Sequence, residues 1–436
     1  MNELSKDHLL RSWKEIAAYL GCDVRTCHRW EDEHGMPVHR ADWGEKKSPV
    51  FAYRGELDKW FQETFTFSAK PPKSRVRPWM KWAAGGAGVL VLAGAVFLVW
   101  NSRVRRQPAD FAIDGSTFIV LDKWKRELFR KDTGAEDLQS EQFYRSNFQV
   151  RHTDQGNILP SLVMKDINGD GDKEVLFALK RERDQTGEGI LFCYDRRGDE
   201  LWRFKAGREL VCGPKRYSPD YRIAGFYVHD IDGDGRQETV VESFQAPDWP
   251  CQLAMLDESG KMIGEFWNAG YLRDLTYQDL DGDGREELIV CGVNNEYKGG
   301  CLIVFDTRNI AGGSPQTGDY VCKDIGPGTM LYYVTTPFVD VSAGRRHPVE
   351  GLRLVEITKN NWIRTIAAMG LIYEFDFGLA CVQVSWGNGF VMTHYELRRS
   401  GAVTRVLNED YKKALRDDIR YWNGRDWSAE PTPVGR

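Results

Sequence analysis

Three segments of the chain, VMKDINGDGDKEVLFAL, YVHDIDGDGRQETVVES and YQDLDGDGREELIVCG, carry one pattern, D-x-[DN]-G-D-G-x-x-E, set between apolar runs. Their first aspartates, Asp166, Asp230 and Asp279, stand 64 and 49 residues apart. A pattern recurring at such intervals marks a repeat architecture, in which one supersecondary unit is copied because a single copy cannot bury both of its faces. Glycine at positions 4 and 6 permits a tight turn that folds three short oxygen-bearing side chains onto one centre. Hard oxygen ligands so placed suit calcium, at about 2.4 Å per bond.

The expected ligands of the first loop are Asp166, Asn168, Asp170 and Glu174, with the carbonyl of Asp172. In the second they are Asp230, Asp232, Asp234 and Glu238, with the carbonyl of Arg236, and in the third Asp279, Asp281, Asp283 and Glu287, with the carbonyl of Arg285. An EF-hand would require a bidentate glutamate at position 12 on an exiting helix, whereas position 12 here is Phe177, Val241 or Val290. A metal-free Asp-Gly hairpin turn accounts for one copy better than for three. Three calcium sites are therefore expected.

A second recurring unit is a hairpin whose first strand ends in aspartate: TFIVLDKWKRELFRK, ILFCYDRRGDELWRF and QLAMLDESGKMIGEF, with looser copies in CLIVFDTRN and LIYEFD. One loop-bearing strand pair plus one such hairpin makes a four-stranded unit, the size of a propeller blade. These residues resemble the FG-GAP or VCBS repeat family, the propeller repeats also found in integrin α heads. The resemblance covers residues 150–300 in repeat form and extends weakly to 400. It implies an all-β, small or incomplete β-propeller over residues 116–400, with calcium between neighbouring strands, and counting the upstream hairpin, the three loop-bearing units and the looser units beyond Asp340 gives four to five blades. The segment PFVDVSAGRRHPVE keeps Asp340 at the loop start without the later carboxylates, and no metal is expected there. Residues 401–436 contain NEDYKKALRDDIRYW, which reads as a capping or surface helix.

Upstream of the repeats, Trp82 to Trp100 run nineteen residues without a charge, long enough for a single transmembrane helix. Lys70, Lys73, Arg75, Arg77 and Lys81 precede the span and Arg103, Arg105 and Arg106 follow it, so the N-terminus is expected inside. This reading gives a single-pass protein of the inner (plasma) membrane with a basic linker at 69–81, a second linker at 101–115 and an extracytoplasmic C-terminal body. Gly85, Gly86, Gly88 and Gly94 offer small-residue surfaces for a homodimer.

In residues 1–68, Trp13, Ile16, Ala17 and Leu20 share one helical face that ends at Gly21, and Asp23 is placed to cap a second helix from Val24 to His34. An alternating stretch and an ELDKWF helix follow. Trp13, Ala18, Leu20, Gly21, Thr26, Arg29, Trp30, Leu57 and Trp60 resemble the excisionase or MerR-type helix-turn-helix family. The resemblance covers about 55 residues and implies a mainly α, winged helix-turn-helix head. Arg25, Thr26, His28 and Arg29 would then face DNA, and Arg40, Lys46 and Lys47 of the wing would reach phosphates. The head holds ten Lys plus Arg against twelve Asp plus Glu, which favours the competing reading of a protein-interaction module.

The whole chain carries 59 Lys plus Arg against 64 Asp plus Glu, which excludes a globally basic nucleic-acid coat. Nine cysteines in 436 residues, without a CxxC pair, exclude a disulfide-stapled miniprotein and a thioredoxin-type centre. Disulfide pairing stays open. A nucleophile elbow, a Walker loop, HExxH and a dinucleotide fingerprint are all missing from suitable contexts, so no enzyme is expected. The functional expectation is a membrane-anchored transcriptional regulator, with a DNA-binding head and a calcium propeller that senses a protein or glycan ligand. The alternative is an envelope adhesion or binding protein whose head is an interaction module.

Overall fold

The computed structural model describes residues 9–40, 50–65, 106–148, 151–153, 156–182, 189–245, 249–339, 341 and 351–434. The chain divides into two units, Met1–Leu98 and Val99–Arg436.

In the first unit, the helix Trp13–Leu20 is capped by Ser12, whose hydroxyl accepts from the Glu15 N–H, and ends on left-handed Gly21. The helix Val24–His34 begins with Asp23 accepting from the Thr26 N–H and ends on left-handed Gly35. Both helices therefore sit where their capping residues predict. A third helix, Arg54–Phe65, follows directly on the strand Val50–Tyr53. That strand is central in a three-stranded sheet, flanked by Leu9–Leu10 and His39–Arg40. Ile16, Ala17, Cys27, Ala52, Leu57 and Trp60 form the buried core between helices and sheet.

The second unit is a succession of antiparallel sheets, in which neighbouring strands of each sheet mostly follow one another in sequence. The first has three strands, Asp110–Asp114, Thr117–Leu121 and Glu127–Asp132. The second has four: Leu162–Lys165, Glu174–Ala178, Ile190–Tyr194 and Glu200–Lys205. The third runs Arg222–His229, Glu238–Phe244, Cys251–Leu256 and Met262–Asn268, with Ala311–Gly313 added in parallel at its edge. The fourth starts Leu272–Gln278, Glu287–Asn294 and Gly299–Phe305, and is extended by Tyr332–Thr335, Arg420–Trp422 and Trp427–Ser428. The fifth comprises Arg353–Ile357, Ile363–Ile366, Leu371–Phe375 and Cys381–Trp386.

Alternation along the second strand of each sheet explains how the sheets stack. Successive side chains of a strand point to opposite faces. Val175 and Phe177 accordingly pack with Phe111, Phe118 and Val120 of the first sheet, while Leu176 and Ala178 pack with Ile223, Phe226 and Val241 of the third. The pattern repeats one sheet later. Leu288 and Val290 meet Val240, Leu253 and Phe266, while Ile289 and Cys291 meet Leu354, Ile363 and Tyr373 of the fifth. Four cores thus lie between five consecutive sheets, which is why these strands read as continuous apolar runs. The second unit is β-propeller-like, built from stacked antiparallel meanders.

The hairpin aspartates are structural. The carboxylate of Asp122 accepts from the N–H groups of Trp124 and Arg126, that of Asp195 from Arg197 and Asp199, and that of Asp257 from Ser259 and Lys261. Each aspartate ends one strand and closes the turn into the next by local side-chain bonding.

Several expectations are corrected. The described structure is mostly β, 39% strand against 18% helix, with six helices among the described residues. A winged helix-turn-helix is not evident in the N-terminal unit. Its three helices share their core with a three-stranded sheet, whose edge strand Leu9–Leu10 is too short to leave a pattern in the sequence. The region 116–400 is not all-β, since Glu141–Ser146 and Asn388–Arg399 are helices, while the helix Glu409–Asp417 falls in the segment where a C-terminal helix was expected. The hairpin aspartate Asp122 lies in the three-stranded sheet that Thr117–Leu121 and Glu127–Asp132 form with Asp110–Asp114.

The proposed membrane span, 82–100, lies outside the described residues, as does Asp340. Among the described residues no helix is long and apolar enough to cross a membrane. The longest have 12 residues, about 18 Å at 1.5 Å per residue, against a hydrocarbon core of roughly 30 Å. No described helix supports the single-pass inner-membrane localisation or its inside–outside topology, and neither is carried further.

Candidate metal centre and the comparison with known structures

Each acidic loop joins the first strand of its sheet to the second, at residues 166–174, 230–238 and 279–287. The three are held by the same hydrogen bonds. At position 1, Asp166 accepts from the N–H groups of Gly169 and Gly171, both at 2.8 Å. Asp230 does so from Gly233 and Gly235 at 2.9 and 3.0 Å, and Asp279 from Gly282 and Gly284 at 2.7 and 3.0 Å. At position 3, Asn168, Asp232 and Asp281 accept from the N–H two residues on. At position 5, Asp170, Asp234 and Asp283 do the same.

The glycines are required by the backbone. Those at position 4 have φ of 76 to 78° and those at position 6 have φ of 84 to 89°, a left-handed region that side-chain-bearing residues rarely adopt. Position 9 closes the loop. Glu174 accepts from the Ile167 N–H at 2.9 Å, Glu238 from Ile231 at 2.9 Å and Glu287 from Leu280 at 2.8 Å. Burial pushes the Glu174 carboxyl up to about 7, against the lowering effect of the Ile167 N–H and reinforced by the charges of Asp170 and Asp166. Glu238 and Glu287 are raised for the same first reason.

Carboxylate oxygens of Asp230, Asp232 and Asp234 lie within 4.8 Å of one another, as do those of Asp279, Asp281 and Glu287. Three anions at that separation repel unless a cation sits among them or protons neutralise them. The donor set, all hard oxygen with carboxylates predominating, fits calcium. The position 7 residues, whose carbonyls were the expected ligands, turn their side chains outward. Asp172 is paired to Arg196 Nε at 2.7 Å and accepts from Gln107 Nε2 at 2.7 Å, while Arg236 is paired to Glu258. Arg196 and Glu258 each follow a hairpin aspartate, so these pairs tie the acidic loop to the hairpin turn of its own sheet.

The residues expected to face DNA lie on the helix Val24–His34 and on the strand His39–Arg40, apart from Lys46 and Lys47. Arg25, His28 and Arg29 are exposed on the helix Val24–His34, but the His28 ring packs on Trp13 at 4.0 Å. The Thr26 hydroxyl donates to Asp23. Arg40 is gripped by both oxygens of Glu31, at 2.5 and 3.0 Å, beside exposed Asp32 and Glu33. Lys46 and Lys47 lie outside the described residues. Nothing in the described structure suggests DNA binding, and that expectation is withdrawn together with transcriptional regulation.

No family model matches the chain, and no curated protein matches it. Among solved structures it is similar to the exotype rhamnogalacturonan lyase YesX, at 15% identity and TM-score 0.25 over 60% of this chain and 61% of that one. It is similar to the Dos1 propeller at 11% identity and TM-score 0.29, over 63% and 65%. It is similar to a Bacillus licheniformis rhamnogalacturonan lyase at 13% identity and TM-score 0.29, over 74% and 66%. The chain spans 61 to 66% of the length of these structures. Scores this low carry no inference about activity. The expectation that the chain is not an enzyme is not upheld, and no activity is assigned.

Four features of the second unit were not anticipated. A disulfide joins Cys212 to Cys322 across 110 residues. Asp274 and Arg353 form a largely buried ion pair. Both carboxyl oxygens of Glu242 are enclosed without a hydrogen-bond partner among the described residues. An open cavity lies at the strand ends remote from the acidic loops. An acid interrupting the apolar runs TVVESF and YLRDLTYQ was the available signal for Glu242 and Asp274.

Proposed function

We propose that the second unit is a binding module whose stacked sheets are stiffened by calcium in the loops of Asp166, Asp230 and Asp279. The observation that carries this reading is the threefold recurrence of one hydrogen-bonded loop, in which two glycine N–H groups hold the first aspartate, with carboxylate oxygens converging within 4.8 Å in the second and third copies. In the second and third loops the positions 1, 3, 5 and 9 supply Asp230, Asp232, Asp234 and Glu238, and Asp279, Asp281, Asp283 and Glu287. In the first, Asn168 replaces one carboxylate, which lowers the ligand charge and with it the expected affinity.

Calcium here acts on the scaffold. Each loop sits at the strand turn of a sheet that contributes to two cores, so an ion holding the turn limits fraying of both. Binding to the folded state alone stabilises it by mass action, about 2.7 kcal/mol per site at a free concentration 100 times Kd. The test is thermal unfolding of the full chain in calcium and in chelator. The reading expects a higher Tm in calcium, with magnesium at the same concentration giving a smaller shift. Equal Tm in all three conditions overturns it.

A further inference from the structure

The cavity remote from the acidic loops has a volume of about 320 Å³. Its position follows from the strand pairing. Arg222 begins the strand that runs into the Asp230 loop, and Phe244 ends the strand that returns, the two being cross-strand partners at the far end. Tyr271 precedes the strand that runs into the Asp279 loop, and Lys180 lies just beyond the strand that leaves the Asp166 loop. Three sheets therefore bring their loop-distal ends to one place, which Gln139 and Phe143 close from a connecting segment.

The walls combine positive charge with aromatic surface. Lys180, Arg181 and Arg222 face the cavity against one carboxylate among the described lining residues, Glu182. Arg273 adds a further cation over the Tyr271 ring, 5.0 Å from its centroid. Phe244 and Tyr271 meet edge to face at 4.7 Å. Lys180 Nζ donates to the carbonyls of Ile223 and Ala224, which holds the second sheet against the third. Arg222 is differently placed. Its Nε–H is enclosed and has no acceptor among the described residues. An enclosed donor left unpaired is unfavourable, the more so on a charged group, until an acceptor arrives.

We propose that this cavity binds a small ring-bearing carboxylate, its carboxylate on the Arg222 guanidinium and its ring against Phe143 and Phe244. The inference rests on the reading of this unit as a binding module. A planar guanidinium recognises a carboxylate through two parallel N–H···O bonds, and aromatic walls take the face of a ring. The volume lies at the lower end of the range for small-molecule sites, about 300–1,000 Å³, which restricts the ligand to one or two rings. A sugar acid and an aromatic acid share this chemistry, and the test separates them.

The experiment is calorimetric titration of the full chain, in calcium, with glucuronate, benzoate, glucose and inorganic phosphate. One of the two ring carboxylates is expected to bind at least about tenfold more tightly than glucose or phosphate. Arg222→Gln is expected to weaken it at least about tenfold, and Arg222→Lys less, because lysine keeps the charge and loses the fork. Thermal unfolding of both variants shows whether they fold. Absence of binding by either carboxylate, binding of phosphate equal to theirs, or unchanged affinity in a folded Arg222→Gln variant overturns the proposal. The calcium reading is judged separately by its own Tm shift, so either can fail without the other.

Discussion

Asp274 receives Arg353 through two parallel bonds, Nε to Oδ2 at 2.6 Å and Nη2 to Oδ1 at 2.9 Å, and accepts the Leu354 N–H at 3.0 Å as well. The pair joins the first strand of the fourth sheet to the first strand of the fifth, across 79 residues. Asp274 is fully enclosed, and burial raises its carboxyl above the ordinary value despite the lowering effect of Arg353. Removing one partner of a buried pair leaves the other charge uncompensated, which costs about 3–5 kcal/mol. Arg353→Met is expected to lose that much in urea unfolding, and Arg353→Met with Asp274→Leu to recover most of it. Additive losses in the double variant would contradict a coupled pair.

Glu242 lies close enough to this pair to feel its charges. Burial drives its carboxyl well above the ordinary value, Asp274 adds to the rise, and Arg353 and Arg273 oppose it. A carboxyl raised in the folded state holds its proton longer than in the unfolded chain, whose value is about 4.3. Its contribution to stability is therefore complete below that value and is lost as pH rises toward the folded-state value, by at most about 1.4 kcal/mol per pH unit. Glu242→Gln removes this dependence. Urea midpoints between pH 5 and 8 are expected to fall more steeply in the native sequence than in the variant, and parallel curves would refute the assignment.

The acidic loops give a position-specific prediction. Asp232→Ala with Asp281→Ala removes one carboxylate from each of two loops whose oxygens converge within 4.8 Å. The double variant is expected to melt lower than the native chain in calcium and equally in chelator. An equal loss in both conditions would assign those aspartates to the turn alone.

The disulfide is read by counting thiols. Cys22, Cys27, Cys193, Cys251, Cys291, Cys301 and Cys381 are free, and Cys212 and Cys322 are joined. Alkylation under denaturing, non-reducing conditions is expected to add seven labels, and nine after reduction. Closing a loop of 110 residues confers up to about 4.7 kcal/mol in the chain-entropy account, so Cys212→Ser with Cys322→Ser is expected to lower the Tm. Nine labels without reduction would exclude the bridge.

What could be read in the sequence was what local chemistry dictates. The Asp-Gly loops, the hairpin aspartates and the caps at Ser12, Asp23, Gly21 and Gly35 each depend on neighbours within a few residues, so their patterns are contiguous. Pairings between distant segments were not legible. Arg420–Trp422 joins the fourth sheet through Tyr332–Thr335, and the chain after Phe305 departs through a segment carrying Cys322 before that strand returns. Leu9–Leu10 reached its sheet by pairing with Tyr53 and Ala52, more than forty residues on. Arg222 belongs to no motif at all. Its role depends on three strand ends meeting, which only the assembled sheets determine.

The central claim, that this is a calcium-stiffened β module, is tested most directly by equilibrium dialysis of the full chain against calcium. The account predicts saturation at three ions per chain, the loop of Asn168 filling last, and a stoichiometry of one after Asp230→Ala with Asp279→Ala. Absence of calcium binding at millimolar concentration, or a stoichiometry unchanged by those substitutions, would contradict it.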